Sequence, residues 1–134
     1  MAALSCLTID PVHIRTPNDA LVLFEELADG RDERCGFAYL DPEWRLLGSR
    51  QTPPGTAHGV EVSLRDVIAD VLALGATAVV MAHNHPGGDL SPSAADIAVT
   101  RRLVAGLEAI DVRLIDHLVI GRDGYLSMRA TGLL

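Results

Sequence analysis

Two histidines, His83 and His85, close a short run at residues 76–82 (ATAVVMA) that is almost wholly apolar. Such a run reads as a strand buried on both faces. Side chains alternate along a strand, so residues i and i+2 project to the same side. Two imidazoles at that spacing can meet one metal ion. They stand where the strand leaves its sheet, the usual place for ligands in open α/β sheets. For an isolated His-x-His the plainer reading is a polar strand end with two solvated histidines.

The residues that follow favour a metal. Zinc in a reactive site takes three protein ligands and keeps a position open for water. Pro86-Gly87-Gly88 forces a turn, and Ser91-Pro92-Ser93 leads back into a helix whose first turn holds Asp96. Ser93-Ala94-Ala95-Asp96 also reads as a capping box with Asp96 at its third helical position. A carboxylate there is an anionic third ligand as well, and it offsets the unfavourable meeting of a cation with a helix N-terminus. Capping and ligation need not exclude each other, because a carboxylate has two oxygens.

These residues need a scaffold. Residues 1–15 read as irregular or extended. Thr16-Pro17 starts a helix with Pro at its first position, and Leu21, Leu23, Phe24 and Leu27 mark its stripe up to Gly30. Residues 33–41 (ERCGFAYLD) read as a strand ending in the turn signal Asp41-Pro42, with residues 44–48 as its hairpin partner. A loop spans 50–59 and a short strand 60–62. Ser63 caps a helix with Leu64, Val67, Ile68, Val71 and Leu72 on one face, closed by Gly75. After the strand at 76–82 and the loop HNHPGGDLSPS, Ser93 caps a helix over 94–109. A strand over 112–120, a turn at 121–124 and a strand over 125–128 complete the chain. The class is α/β or α+β: one sheet covered by helices.

The bulk properties bound the function. The chain has 134 residues, 49% of them apolar and 22% charged, an ordinary globular balance. That length suits one domain. Net charge is −7, with no lysine and scattered arginines, which argues against specific nucleic-acid binding through phosphates. Cys6 and Cys35 form no Cys-x-x-Cys pair and read as free thiols of a reducing cytoplasm. The N-terminal MAALSCLTIDPVHIR is no signal peptide, and no apolar stretch approaches the ~18 residues of a membrane span. The expectation is a soluble, cytoplasmic protein. His13 and His58 carry no partner pattern. Asp116 and His117 lie within a strand, where a histidine is more often hydrogen-bonded structure than a ligand.

His83-x-His85, seven residues, Ser93, two residues and Asp96 resemble, without a gap, the JAMM metalloprotease motif of JAB/MPN domains. The longer HNHPGGDLSPSAADIAVTRRL, and the end from Asp116-His117-Leu118-Val119-Ile120 to Gly132-Leu133-Leu134, resemble the RadC branch. The resemblance covers about residues 30–134. Gly87 stands where RadC-like chains usually have Ser.

The resemblance implies a JAB/MPN architecture of the cytidine-deaminase-like kind, a mixed β-sheet covered by helices. It implies one domain over 1–134, with residues 1–30 as an N-terminal segment and helix and 31–134 as the core. His83, His85 and Asp96 would bind Zn2+. Glu33, eight residues before Asp41, would be the general base, with Glu43 and Glu61 as rivals. Ser93 would stabilise the oxyanion. The implied reaction is hydrolysis of an amide or isopeptide bond in a peptide or protein substrate. The alternative is a non-catalytic MPN-type interaction module, tied to DNA repair by family name only. A zinc deaminase would need His-x-Glu and Pro-Cys-x-x-Cys, which are lacking.

Overall fold

The computed structural model describes residues 11–53 and 62–134. Expectations on Cys6, His58, Glu61 and most of the strand at 60–62 lie outside these. Val62 is described; it is in no strand and packs against the core.

The described elements are α1 (Pro17–Leu23), α2 (Glu25–Ala28), β1 (Cys35–Leu40), β2 (Leu46–Gln51), α3 (Leu64–Leu74), β3 (Ala78–Asn84), α4 (Ala94–Glu108), β4 (Arg113–Ile120) and β5 (Tyr125–Ser127). The strands form one mixed sheet in the order β2-β1-β3-β4-β5. Three neighbouring pairs are antiparallel, and β3–β4 is parallel. A parallel pair needs a long crossover, and α4 supplies it.

Both faces of the sheet are covered, which explains why β1 and β3 are almost entirely buried. Cys35, Phe37, Tyr39, Val79 and Met81 pack with Val67 and Val71 of α3 and Leu103 and Leu107 of α4. On the other face, Ala38, Leu40, Val80, Ala82 and Leu118 pack with Ala20 of α1, Leu27 of α2 and Phe24 between them. Tyr39 donates its hydroxyl to Asp70 (2.7 Å), which also pairs with Arg50, so β1, β2 and α3 are pinned together.

Four sequence expectations need correction. The first helix breaks at Phe24, whose φ of −105° and ψ of 22° leave the helical range. Its buried ring lies so close to Gly36 that a Cβ there would come within 2.5 Å of it. The partner of β1 is Leu46–Gln51 rather than 44–48: Asp41 accepts from the amides of Glu43 and Arg45, and Trp44 adopts a φ of 68° in that turn. Leu72 is exposed (68%), outside the buried stripe of Val67 and Val71. His83 and Asn84 belong to β3 itself rather than to the following loop.

Strand β4 contains an irregularity that bears on the site. Val79 is opposite Leu114, but Val80 is opposite Asp116, so Ile115 is skipped. Leu114 packs on the α3–α4 face and Leu118 on the α1–α2 face, although they are four residues apart. The extra residue switches the alternation, as a bulge does. It turns His117 onto the face where His83 lies.

Candidate metal centre

Strand β3 ends at Asn84, and β4 lies parallel beside it, so the carboxyl end of β3 opens beside the N-terminus of α4. His83 is 1% exposed. His85 follows the strand, its amide donating to the carbonyl of Ile120. The turn after it uses Gly88 at a φ of 87°, a conformation glycine adopts without strain. Gly87 has open space around its missing Cβ, so a serine would fit there.

The chain returns into α4 through the expected capping box. Ser93 Oγ accepts from the Asp96 amide (3.0 Å), and Asp96 Oδ2 accepts from the Ser93 amide (2.8 Å). The same Oδ2 lies 3.2 Å from His83 Nε2 and 3.1 Å from His85 Nε2. Capping and the approach to the histidines therefore fall on one oxygen rather than being shared between two. The two Nε2 atoms are 2.8 Å apart. Glu33, just before β1, brings Oε1 to 3.9 Å from His83 Nε2. Glu33, His83, His85 and Asp96 each offer a ligand atom, and these atoms lie within 4.8 Å of one another.

The donor set fits a metal ion. His85 Nδ1 is 2.7 Å from the Asp89 carbonyl oxygen, which can only accept, so Nδ1 carries a proton and the neutral ring presents its lone pair at Nε2. Burial raises the Asp96 carboxyl, but its contacts with His83 and with the Ser93 amide outweigh that and hold the group well below its usual range. Asp96 is therefore a carboxylate. Two acceptors 3.1 Å apart with no hydrogen between them call for a cation. A tetrahedron with ligands 2.0–2.1 Å from its centre has edges of about 3.3–3.4 Å. The two separations to Asp96, 3.2 and 3.1 Å, are near that value, and the 2.8 Å between the imidazoles is shorter.

The expected site residues thus converge, apart from the question of role. Of the rivals to Glu33, Glu43 is paired with Arg45 in the exposed turn (3.1 Å). His13 forms an isolated bridge with Arg45. Asp116 accepts from the amides of His117 and Arg129 and from the Ser127 hydroxyl. Cys35 is buried beside the site, and burial, with the charges of Glu33 and Asp96, pushes its thiol up to about 12. That keeps the thiol protonated, and a protonated thiol is a poor nucleophile.

Two features escaped the sequence. Asn84 points to the opposite face from His83 and grips the chain on both sides of Glu33. Its Oδ1 accepts from the Arg34 amide (2.6 Å), and its Nδ2 donates to the Asp32 carbonyl (3.0 Å). Its only signal was its place between the two histidines. His117 is wholly buried against His83, and no sequence pattern announces the bulge that brings it there. Burial, helped by the nearby His83, pushes His117 down to about 3, so it is neutral.

Residues 14–133 match the model of the RadC-like JAB domain family. This chain belongs to that family. A UPF0758 protein of Bordetella avium is 42% identical over 102 residues, covering 76% of this chain and 45% of its own length. One from a Cyanothece species is 38% identical over 112 residues, covering 84% and 46%. One from Halorhodospira halophila is 42% identical over 108 residues, covering 81% and 48%. This RadC-like JAB domain chain spans about half the length of the curated relatives it matches. Among its described residues, no helix is long and apolar enough to cross a membrane.

Proposed function

We propose that this chain is a zinc-dependent hydrolase of amide or isopeptide bonds, with His83, His85 and Asp96 as the metal ligands. The observation that carries the reading is the meeting of two imidazole nitrogens and a carboxylate oxygen within 3.2 Å at the end of a buried strand. Zinc bound by three protein ligands supplies Lewis acidity, polarising a carbonyl and lowering the pKa of a coordinated water toward ~7.

The remaining steps belong to side chains. Glu33 is part exposed and 3.9 Å from His83 Nε2, beside the ligand cluster but outside its closest contacts. It accepts the proton of the attacking water and returns it to the leaving amine. Ser93 Oγ uses a lone pair for the Asp96 amide, which leaves its hydroxyl hydrogen for the developing oxyanion. The substrate class, a peptide or protein, follows from the family resemblance. With a net charge of −7 and no lysine, the reading assigns the chain no specific nucleic acid.

Glu33→Gln separates an enzyme from a binding module. The change keeps size and shape but removes basicity, and it leaves the three ligands untouched. Zinc content should stay at the wild-type level while hydrolysis of an amide substrate falls by about 10²-fold or more. Full activity in the variant would remove Glu33 from the mechanism, and loss of zinc would make it a fourth ligand.

A further inference from the structure

His83 uses its two ring nitrogens on opposite sides. Nε2 faces His85 and Asp96, and Nδ1 lies 2.5 Å from His117 Nε2. His117 Nδ1 is 2.6 Å from Thr100 Oγ1, and that oxygen is 2.7 Å from the carbonyl oxygen of Asp96. The path runs from one candidate ligand, through two further side chains, back to the residue that carries another. His83, His117 and Thr100 are each no more than 1% exposed, so no bulk water competes for these links.

The His83–His117 and His117–Thr100 links each hold one proton, so the path has two possible orders. In one, Thr100 donates to the Asp96 carbonyl, His117 Nδ1–H donates to Thr100, and His83 Nδ1–H donates to His117 Nε2. His83 Nε2 then carries a bare lone pair toward the cluster. In the other, Thr100 donates to His117 Nδ1 and His117 Nε2–H donates to His83 Nδ1. His83 Nε2 then carries a proton into the space a metal ion would fill. A carbonyl can only accept. A hydroxyl 2.7 Å from it, donating there, must accept from His117, which selects the first order.

We propose that Thr100 and His117 are positioning residues that fix His83 as its Nδ1–H tautomer and so present Nε2 to the metal. The proposal rests on the metal-centre reading. The bulge at Ile115 fits this role, because it is what turns His117 toward His83. So does the place of Thr100 one turn after Asp96 on α4, which ties the ring of His83 to the helix carrying the third ligand. Partners of this kind behind ligating histidines typically change metal affinity about 10–100-fold.

The test compares zinc affinity, by chelator competition, in the wild-type chain, Thr100→Val and Thr100→Ser. Thermal unfolding of the metal-free proteins is recorded alongside. Valine keeps the volume and removes the acceptor; serine keeps the hydroxyl. The expected result is an affinity about 10–100-fold lower for Thr100→Val and close to wild type for Thr100→Ser. A threonine that only filled space would leave the valine variant's affinity unchanged, and that result would overturn the proposal. Nitrogen-15 histidine spectra of the zinc-loaded wild-type chain decide independently, even if Thr100→Val does not fold. They should show His117 protonated at Nδ1 and bare at Nε2; the reverse tautomer would overturn the proposal. A wild-type chain that takes up no zinc would sink this inference together with the metal-centre reading. Normal uptake with an unaffected Thr100→Val would sink this inference alone.

Discussion

At the scale of single residues, the site depends on which atoms are left with lone pairs. His85 is settled by the Asp89 carbonyl and Asp96 by its contacts with His83 and Ser93. Asn84 acts through the backbone. Its amide spans the Asp32 carbonyl and the Arg34 amide, so the one side chain between them, Glu33, is held at the cluster. Asn84→Ala should therefore leave zinc content intact and lower amide hydrolysis, by about tenfold or more if Glu33 is the base. Equal activity in Asn84→Ala and wild type would show that Glu33 needs no such support. The convergence of His83, His85 and Asp96 was legible in the sequence because the spacing puts His83 and His85 on one side and Asp96 in a helix's first turn. Asn84 and His117 were not, because each acts through a partner at least 34 residues away in sequence.

At the scale of elements, caps and buried runs were readable and packing exceptions were not. Ser63, Ser93 and Gly75 end their helices where local chemistry places them. At the break the Phe24 ring is seated against Gly36 of β1, a contact between residues on different elements that local patterning does not show. The bulge in β4 leaves no mark, because residues on both sides of Ile115 are buried whichever way they point. Gly36→Ala tests the first of these. The new Cβ would approach the Phe24 ring to 2.5 Å, and Phe24 is fully buried. Overpacking of this kind destabilises by about 1–3 kcal/mol. Chemical denaturation should show that loss, with zinc content unchanged because Phe24 packs on the face away from the histidines. A variant as stable as wild type would mean that the helix break absorbs the clash.

At the scale of the whole molecule, a sheet covered on both faces places the end of β3 against the N-terminus of α4, and everything proposed for function follows from that junction. The resemblance to RadC-like JAB domains covers nearly the whole chain, whereas the curated relatives are about twice as long. The metal centre is therefore the part of the function that this chain can be asked about directly. The deciding measurement is elemental analysis of the chain purified without chelator, beside His85→Ala. Three ligands of this kind make a zinc site, so about one zinc per wild-type chain is expected, with the metal lost in His85→Ala. A folded wild-type chain without zinc, or a His85→Ala variant that keeps its full share, would contradict the metal centre.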